Sequence, residues 1–80
     1  MYSAYILKSL KDGKFYYGSC HNMEARLGMH NSKRVKSTKS RAPFVIHYIE
    51  DFLSRTEAQK REYFFKSFKG YRWLKENGII

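Results

Sequence analysis

The stretch YSAYILKSLKDGKFYYGSC, residues 2–20, decides the fold of this 80-residue chain. Residues 2–10 and 15–20 are both rich in the aromatic and β-branched types that favour strands. Between them, Asp12 and Gly13 tolerate the positive φ angles of a tight turn, which makes this pair a strong hairpin signal. The stretch therefore predicts two antiparallel strands joined at Asp12-Gly13.

The middle of the chain predicts a helix, a loop and a third strand. Asn22 is suited to cap a helix over residues 23–32. The polar, basic stretch 32–43 is typical of an exposed loop. FVIHYIEDF at 44–52 is again rich in strand-forming residues and predicts the third strand.

The last third of the chain predicts two helices. Ser54 and Glu57 form a capping box that opens a helix ending just before Gly70, which is placed as its C-cap. A short helix over residues 71–77 follows. The order ββαβαα predicts one α+β domain over residues 1–80, a small three-stranded, largely antiparallel sheet flanked by helices.

The charge of the chain points to a polyanionic partner. Sixteen Lys and Arg residues against seven Asp and Glu residues give a formal net charge of +9. Such a field favours nucleic acid or anionic lipid. No apolar run approaches the roughly 20 residues of a membrane span, and no long basic amphipathic helix indicates a membrane surface. We therefore expect nucleic acid, and no membrane, as the partner.

Cysteine and histidine usage narrows the site chemistry. The single Cys20 leaves no internal disulfide and, with no secretion signal, favours a cytoplasmic location. One Cys and three scattered His form no closed zinc site. Cys20 and His21 are adjacent on a predicted strand and point to opposite faces, which disfavours a nucleophilic Cys–His pair.

Four short motifs, taken in order, resemble those of the GIY-YIG nuclease superfamily. They are SAY at 3–5, YYG at 16–18, ARLGMH at 25–30 and KRE at 60–62. YYG alone is common, but the ordered set is specific and covers essentially the whole chain. The chain resembles the short, stand-alone branch of the superfamily more than the nuclease module of the excision-repair protein.

The resemblance implies a metal-dependent endonuclease that hydrolyses DNA phosphodiester bonds, leaving 5′-phosphate and 3′-hydroxyl ends. The implied catalytic residues are Tyr5, Tyr16, Arg26, His30 and Glu62. Glu62 would ligate Mg²⁺ (or Mn²⁺), an ion that prefers oxygen ligands. Tyr16 would activate water, and Arg26 would donate paired hydrogen bonds to the phosphate. Tyr5 would orient the water or phosphate, and His30 would assist proton transfer or hold the phosphate.

Three departures from the family pattern are visible, one of which is the aromatic Tyr17 in place of isoleucine in the second motif. The first motif begins with Ser3 instead of glycine, although its tyrosine is kept. Some relatives carry a lysine where this chain has Ser19. A final asparagine of the family site has a candidate match in Asn77, fifteen residues after Glu62.

A two-residue turn at Asp12-Gly13 fixes the expected register, which pairs Tyr5 with Cys20 and Leu7 with Gly18. Tyr16 and Gly18 then share a sheet face with Tyr5. Gly18 would leave room for a phosphate to approach closely. The two tyrosine backbones would lie about four steps, roughly 13 Å, apart, so their side chains must lean together or a bulge must shorten the gap.

Each candidate residue also has a structural interpretation. Tyr5 and Tyr16 are suited to pack the sheet, and Arg26 and His30 lie on one helical face, where they could be ordinary surface residues. The carboxylate of Glu62 is expected near Ala58 and Phe65 on an apolar face, where it is costly unless it is paired, protonated or metal-bound. It could instead pair with Lys66 at i+4.

Five basic residues of the 32–43 loop are candidates for tracking a phosphate backbone, or else form a solvated loop: Lys33, Arg34, Lys36, Lys39 and Arg41. Three interpretations stay open, namely the DNA endonuclease, a non-catalytic nucleic-acid-binding domain with the same fold, and an RNA-associated protein. A pure binder has no use for a lone carboxylate that faces DNA, which favours the enzyme. The oligomeric state is left open.

Overall fold

The computed structural model describes all 80 residues and consists of a three-stranded antiparallel sheet with helices on both faces. The strands lie in the order β2-β1-β3, so β1 is central and β2 and β3 are edges. The ββαβαα order is confirmed, and the elements are β1 (Tyr2–Ser9), β2 (Phe15–Cys20), α1 (Met23–Asn31), β3 (Phe44–Phe52), α2 (Arg55–Lys66) and α3 (Phe68–Glu76), with a 3-10 turn at Lys39–Arg41.

The hairpin of β1 and β2 is present, but its predicted register was wrong by two residues. Tyr5 pairs with Gly18, and Leu7 pairs with Tyr16. A slip of two residues leaves every side chain on its expected face, because strand side chains alternate with a period of two. Tyr5 and Tyr16 therefore share a face as predicted, and their separation along the strands falls to about two steps, roughly 7 Å.

The register differs because a backbone hydrogen bond joins Ser9 to Lys14, so the loop is longer than two residues and is centred one residue before the Asp12-Gly13 pair. The connection spans residues 10–14. The Ser9 hydroxyl oxygen accepts hydrogen bonds from the backbone N–H groups of Lys11 and Asp12, and Gly13 takes up a φ of 74°. The side chain of Ser9 thus stabilises a wider loop, a contribution that the Asp-Gly signal alone does not include.

The two faces of the sheet carry separate cores. On one face, Tyr5, Leu7 and Phe44 are buried against Met23 and Leu27 of α1. On the other face, Ala4 and Ile6 are buried against Phe65 of α2 and Leu74 of α3. Phe15 and Tyr17 pack on this second core, as expected from their position on β2. Truncating a buried phenylalanine such as Phe65 to alanine typically costs about 3–5 kcal/mol.

The caps of the first two helices follow the sequence. The Asn22 side chain accepts a hydrogen bond from the backbone N–H of Ala25 at the start of α1. The Ser54 hydroxyl accepts one from the backbone N–H of Glu57 at the start of α2. Both bonds satisfy N–H groups that have no partner within the helix.

The predicted C-cap at Gly70 was wrong. Helix α2 ends at Lys66, Ser67 caps α3, and Gly70 lies inside α3. A Cβ at Gly70 would overlap the carbonyl group of Phe64. Glycine is therefore present at position 70 because α3 folds back tightly against the end of α2. The glycine that follows the end of a helix with a positive φ is Gly78, at 69° after α3.

Candidate active site

Tyr5 lies at the centre of the candidate site but is not open to a ligand. Its side chain is buried, at 1% exposure. The phenol oxygen lies 3.3 Å from Nε2 of His30, and Nε of Arg26 donates to it at 3.5 Å. Burial raises the pKa of Tyr5 to about 12, against the opposing effect of Arg26. A phenol with such a high pKa is a poor base, so Tyr5 is suited to position its neighbours.

His30 lies beneath Tyr5 and is completely buried. Its Nδ1 lies 2.8 Å from the hydroxyl oxygen of Thr38, which donates in turn to the carbonyl of Val35. Because the Thr38 hydroxyl donates its proton to Val35, it accepts a hydrogen bond from Nδ1 of His30. Nδ1 is then the protonated nitrogen, and Nε2 accepts a hydrogen bond from the Tyr5 hydroxyl. Burial, and secondarily the charge of Arg26, lowers the pKa of His30. Because the side chain is buried and both ring nitrogens have protein partners, His30 makes no direct contact with a ligand in this arrangement, and the roles expected for it stay predictions.

The space above Gly18 is already filled. A Cβ on this residue would overlap the phenol oxygen of Tyr5. The glycine is therefore required for the tyrosine ring to lie flat across β2 and reach His30. The expected opening for a phosphate at this position was wrong, because Tyr5 occupies it.

Tyr16 and Arg26 carry the polar atoms of the candidate site that have no partner within the protein. The ring of Tyr16 packs edge-on against His30, with centroids 5.1 Å apart. The Tyr16 hydroxyl makes no hydrogen bond within the protein. Because every fully buried polar side-chain atom has a hydrogen-bond partner, this hydroxyl is exposed to solvent. Arg26 is half-buried; its Nε is bound by Tyr5, while its two terminal nitrogens are free for a ligand.

Glu62 lies on the opposite face of the sheet from Tyr5 and Tyr16. Its carboxylate accepts a hydrogen bond from the Ser19 hydroxyl at 2.6 Å and pairs with Lys66 at 2.7 Å. The side chain is 16% exposed, so the expected low solvation is present together with the expected i+4 ion pair. The position between buried Ala58 and Phe65 is as predicted.

A cleft of about 280 Å³ lies at the end of the sheet where β1 begins and β2 ends, and residues of both α1 and α2 line it. Ser19, which is bonded to Glu62, and Arg26, which is bonded to Tyr5, both line it. Because β2 is an edge strand, no neighbouring strand separates its two faces. Of the predicted site residues, Arg26 lines the cleft directly, and Glu62 is linked to it through the hydrogen bond with Ser19.

The same cleft contains residues that the sequence did not indicate. Arg55, Gln59 and His21 line it beside Ser19 and Arg26. Arg55 and Gln59 are four residues apart on α2, hence on one helical face. Gln59 also precedes Glu62 by three residues. These helical spacings were the sequence signal that could have placed Arg55 and Gln59 near Glu62.

The oxygen groups near Glu62 fit a hydrated Mg²⁺ ion. The Glu62 carboxylate and the Ser19 hydroxyl are the oxygen donors at this point. Magnesium commonly takes one or two carboxylates and keeps several water ligands. No group of three His, Cys, Asp or Glu side chains in the chain is arranged to enclose a metal. In the structure the two carboxylate oxygens of Glu62 are bonded to Ser19 and Lys66, so a metal ion would have to replace Lys66.

The basic loop is exposed over most of its length. Lys33, Arg34, Lys36 and Lys39 all reach solvent. Arg41 differs from them, because it is half-buried, pairs with Asp12 at 3.0 Å and lies over the ring of Phe44. Four of the five residues therefore have free charges, and Arg41 ties the loop to the hairpin.

Asn77 ends α3. Its side-chain amide donates to the carbonyl of Trp73, and the residue is exposed. In this position it serves the helix end.

None of the helices is long and apolar enough to cross a membrane.

Comparison with known proteins identifies similar sequences and one similar fold. Residues 1–75 match the family model of the GIY-YIG catalytic domain. A UPF0213 protein of Staphylococcus haemolyticus is 46% identical over 72 residues, which span 89% of this chain and 87% of that protein. A UPF0213 protein of Bacillus licheniformis is 44% identical over 63 residues, or 78% of this chain and 64% of that protein. The solution NMR structure of a UPF0213 protein from Bacillus halodurans has a TM-score of 0.53 at 32% identity, covering 95% of this chain and 84% of that one.

Proposed function

Because this chain belongs to the family of GIY-YIG catalytic domains, we propose that it is a Mg²⁺-dependent endonuclease that hydrolyses DNA phosphodiester bonds at the edge of β2. One observation carries the proposal. Tyr5 and His30 use their polar atoms within the protein, whereas the Tyr16 hydroxyl and the terminal nitrogens of Arg26 are open to a ligand. The open groups are the ones that a bound phosphate requires.

Arg26 is the phosphate-binding residue of this scheme. Its Nε is held by Tyr5, which fixes the plane of the guanidinium group. The charge of an arginine is permanent in proteins, and the contact with Tyr5 raises the pKa of Arg26 further. A planar guanidinium donates two parallel hydrogen bonds to phosphate oxygens, which lysine cannot do. Tyr5 and His30 act as positioning residues beneath it.

Tyr16 is the group that activates water. Tyr16 releases its hydroxyl proton to solvent; a water oxygen then attacks phosphorus, its proton passes to the Tyr16 oxygen, and the bond from phosphorus to the 3′ oxygen breaks. The leaving oxygen takes a proton from solvent. A tyrosine can act as a base only where positive charge lies nearby, and Arg26 supplies that charge on the same face of the sheet.

Glu62 and Ser19 would hold the metal ion. Bound there, Mg²⁺ would neutralise charge on the phosphate as it develops. In the structure, Lys66 neutralises the carboxylate from the solvent side at 2.7 Å. Lys66 is more than one-third exposed and can move away at small cost, since an exposed ion pair contributes little.

The rival function is a nucleic-acid-binding domain without catalysis, acting on DNA or RNA. Both functions use the exposed cations of the basic loop and the +9 net charge. They differ in the need for the Glu62 carboxylate, which repels a phosphate backbone unless a cation lies between them.

A cleavage panel separates the two functions. Duplex, nicked, branched and single-stranded DNA and a matched RNA are incubated with and without Mg²⁺, using wild type, Glu62→Gln and Glu76→Gln. Glu76 carries the same charge on an exposed face of α3 and serves as the matched control. We expect Mg²⁺-dependent cleavage that is lost only in Glu62→Gln, with an unchanged Tm. No cleavage of any substrate by wild type would favour the binding domain.

A further inference from the structure

The exposed aromatic side chains of this protein are confined to one region. Of fourteen Tyr, Phe and Trp residues, three are mainly solvent-exposed. They are Tyr63 at 64%, Phe68 at 76% and Tyr71 at 48% exposure, and all lie on α2 or α3. A cluster of large exposed apolar groups is informative, because single-domain proteins usually bury them.

These aromatics continue from the cleft. Tyr63 lies one helical turn beyond Gln59, which lines the cleft. Lys66, the partner of Glu62, follows on the same side of α2, and Phe68 begins α3 two residues later. At the far end, Tyr71 lies close enough to Tyr17 of β2 to help raise its pKa, whose main cause is burial.

Lysines alternate with the aromatics. Phe68, Tyr71 and Lys75 have i, i+3 and i+7 spacing and therefore share one face of α3. The Lys75 ammonium lies 5.6 Å from the centroid of the Tyr71 ring. We call the surface formed by Tyr63, Lys66, Phe68, Tyr71 and Lys75 the aromatic–lysine strip.

We propose that the aromatic–lysine strip binds unpaired nucleotides, so that the substrate carries a single-stranded segment next to the bond that is cut. Exposed bases stack on the rings of Tyr63, Phe68 and Tyr71, and the backbone phosphates lie near Lys66 and Lys75. Base-paired DNA cannot use the rings in this way, because its base faces are already stacked. The inference rests on the proposed function, which places the scissile bond at the cleft.

Charge distinguishes this occupant from a second copy of the chain. Two strips brought together would oppose their lysines, and each chain carries a net charge of +9. Like charges at a shared interface disfavour association. A single strand supplies both the negative backbone and the aromatic faces that the strip complements.

Binding without metal tests the proposal independently of cleavage. Fluorescence anisotropy in EDTA compares a blunt duplex with the same duplex bearing a single-stranded flap. The proteins are wild type, the triple variant Tyr63→Ser/Phe68→Ser/Tyr71→Ser, and the control Leu53→Ser, whose side chain is 85% exposed elsewhere. We expect the triple variant to lose about tenfold or more in affinity for the flap, since stacking contributes strongly for each base. Its duplex affinity should change by less than about twofold on the same scale, and the control should match wild type.

Two results would overturn the inference. One is an equal loss on flap and duplex, or no loss on either, which would remove the rings from single-strand recognition. The other is a wild-type dimer in sedimentation that the triple variant dissociates, which would assign the strip to a second copy. Because no metal is present, failure of the strip leaves the nuclease proposal standing, and failure of cleavage leaves the binding result intact.

Discussion

The two faces of β2 carry two different kinds of site. On the α1 face, Tyr5 and His30 are buried and fully hydrogen-bonded. On the α2 face, Glu62 is held by one hydroxyl group and one mobile lysine. Each face has its own hydrophobic core. Arg26 on the α1 side and Ser19, the partner of Glu62, line the same cleft.

The difference shows how this small domain divides two tasks. Groups that must hold a fixed direction, such as the guanidinium of Arg26, are supported by a buried network with low mobility. Under the proposed function Glu62 would accept an ion from solvent, and its present partner Lys66 is partly exposed. We infer that the buried residues on the α1 face orient Arg26, whereas Glu62 on the α2 face carries a charge whose partner can be exchanged.

The largest effect is expected at Tyr16, whose ring packs on the α1 face and whose hydroxyl is exposed. Tyr16→Phe removes only the hydroxyl and keeps the ring packing against His30. Loss of a general base typically lowers the rate by about 10²–10⁴-fold. Single-turnover cleavage measures this loss of rate. The control is Tyr17→Phe, which removes the hydroxyl of the neighbouring tyrosine on the other face of the sheet. Wild-type cleavage by Tyr16→Phe would make Tyr16 a packing residue.

A smaller effect, on stability, is expected at Gly18. Gly18→Ala places a methyl group where the Tyr5 phenol lies, and the phenol cannot move freely because His30 and Arg26 hold it. We expect a loss of about 1–3 kcal/mol in the free energy of unfolding, as for other overpacked cores. Gly28→Ala is the matched control, since open space surrounds Gly28 in α1 and alanine favours helix. Equal stability of the two variants would contradict the rigid network.

The basic loop should affect binding more than catalysis. Replacing Lys33, Arg34 and Lys36 with glutamine removes three exposed charges. For duplex DNA, every phosphate that the protein no longer neutralises lowers the slope of log affinity against log salt by about 0.9, so the slope should fall by roughly 2–3. A salt titration of duplex binding measures it. An unchanged slope would show that the loop does not follow the backbone.

The smallest expected effect is a pH dependence of stability from His30. Because the pKa of His30 is lowered in the folded state, the unfolded chain binds a proton that the folded chain resists. Stability is therefore full above the ordinary histidine value, about 6.5, and falls as the pH drops below it. Arg26, Tyr5 and Tyr16 are the titratable groups that face His30. Tm at pH 7.5 and 5.5 should differ less in His30→Gln than in His21→Gln; the reverse order would contradict the buried network.

Much of the fold could be predicted from local signals. The caps at Asn22 and Ser54 and the alternation along β1 and β2 depend on neighbouring residues alone, and each was confirmed. The register could not be predicted, because the turn is widened by the side chain of Ser9. The role of Gly70 depends on how α3 packs on α2, an arrangement that no local pattern encodes.

The sequence named candidate site residues, which stay predictions, but it could not give their arrangement. Motif order indicated Tyr5, Tyr16, Arg26 and Glu62, yet spacing could not show that Glu62 lies on the opposite face and reaches the cleft through Ser19. Nor could the sequence separate Tyr5 from Tyr16, since only burial makes one of them a positioning residue.

The most direct test of a site shared by both faces is a double-mutant cycle between Tyr16→Phe and Glu62→Gln. Cleavage rates of wild type, both single variants and the double variant are measured with Mg²⁺ on the best substrate of the panel. Residues that act as one unit are strongly non-additive, so we expect the double variant to be no slower than the slower single variant. Rate losses that multiply in full, or a Glu62→Gln variant as fast as wild type, would contradict a shared site.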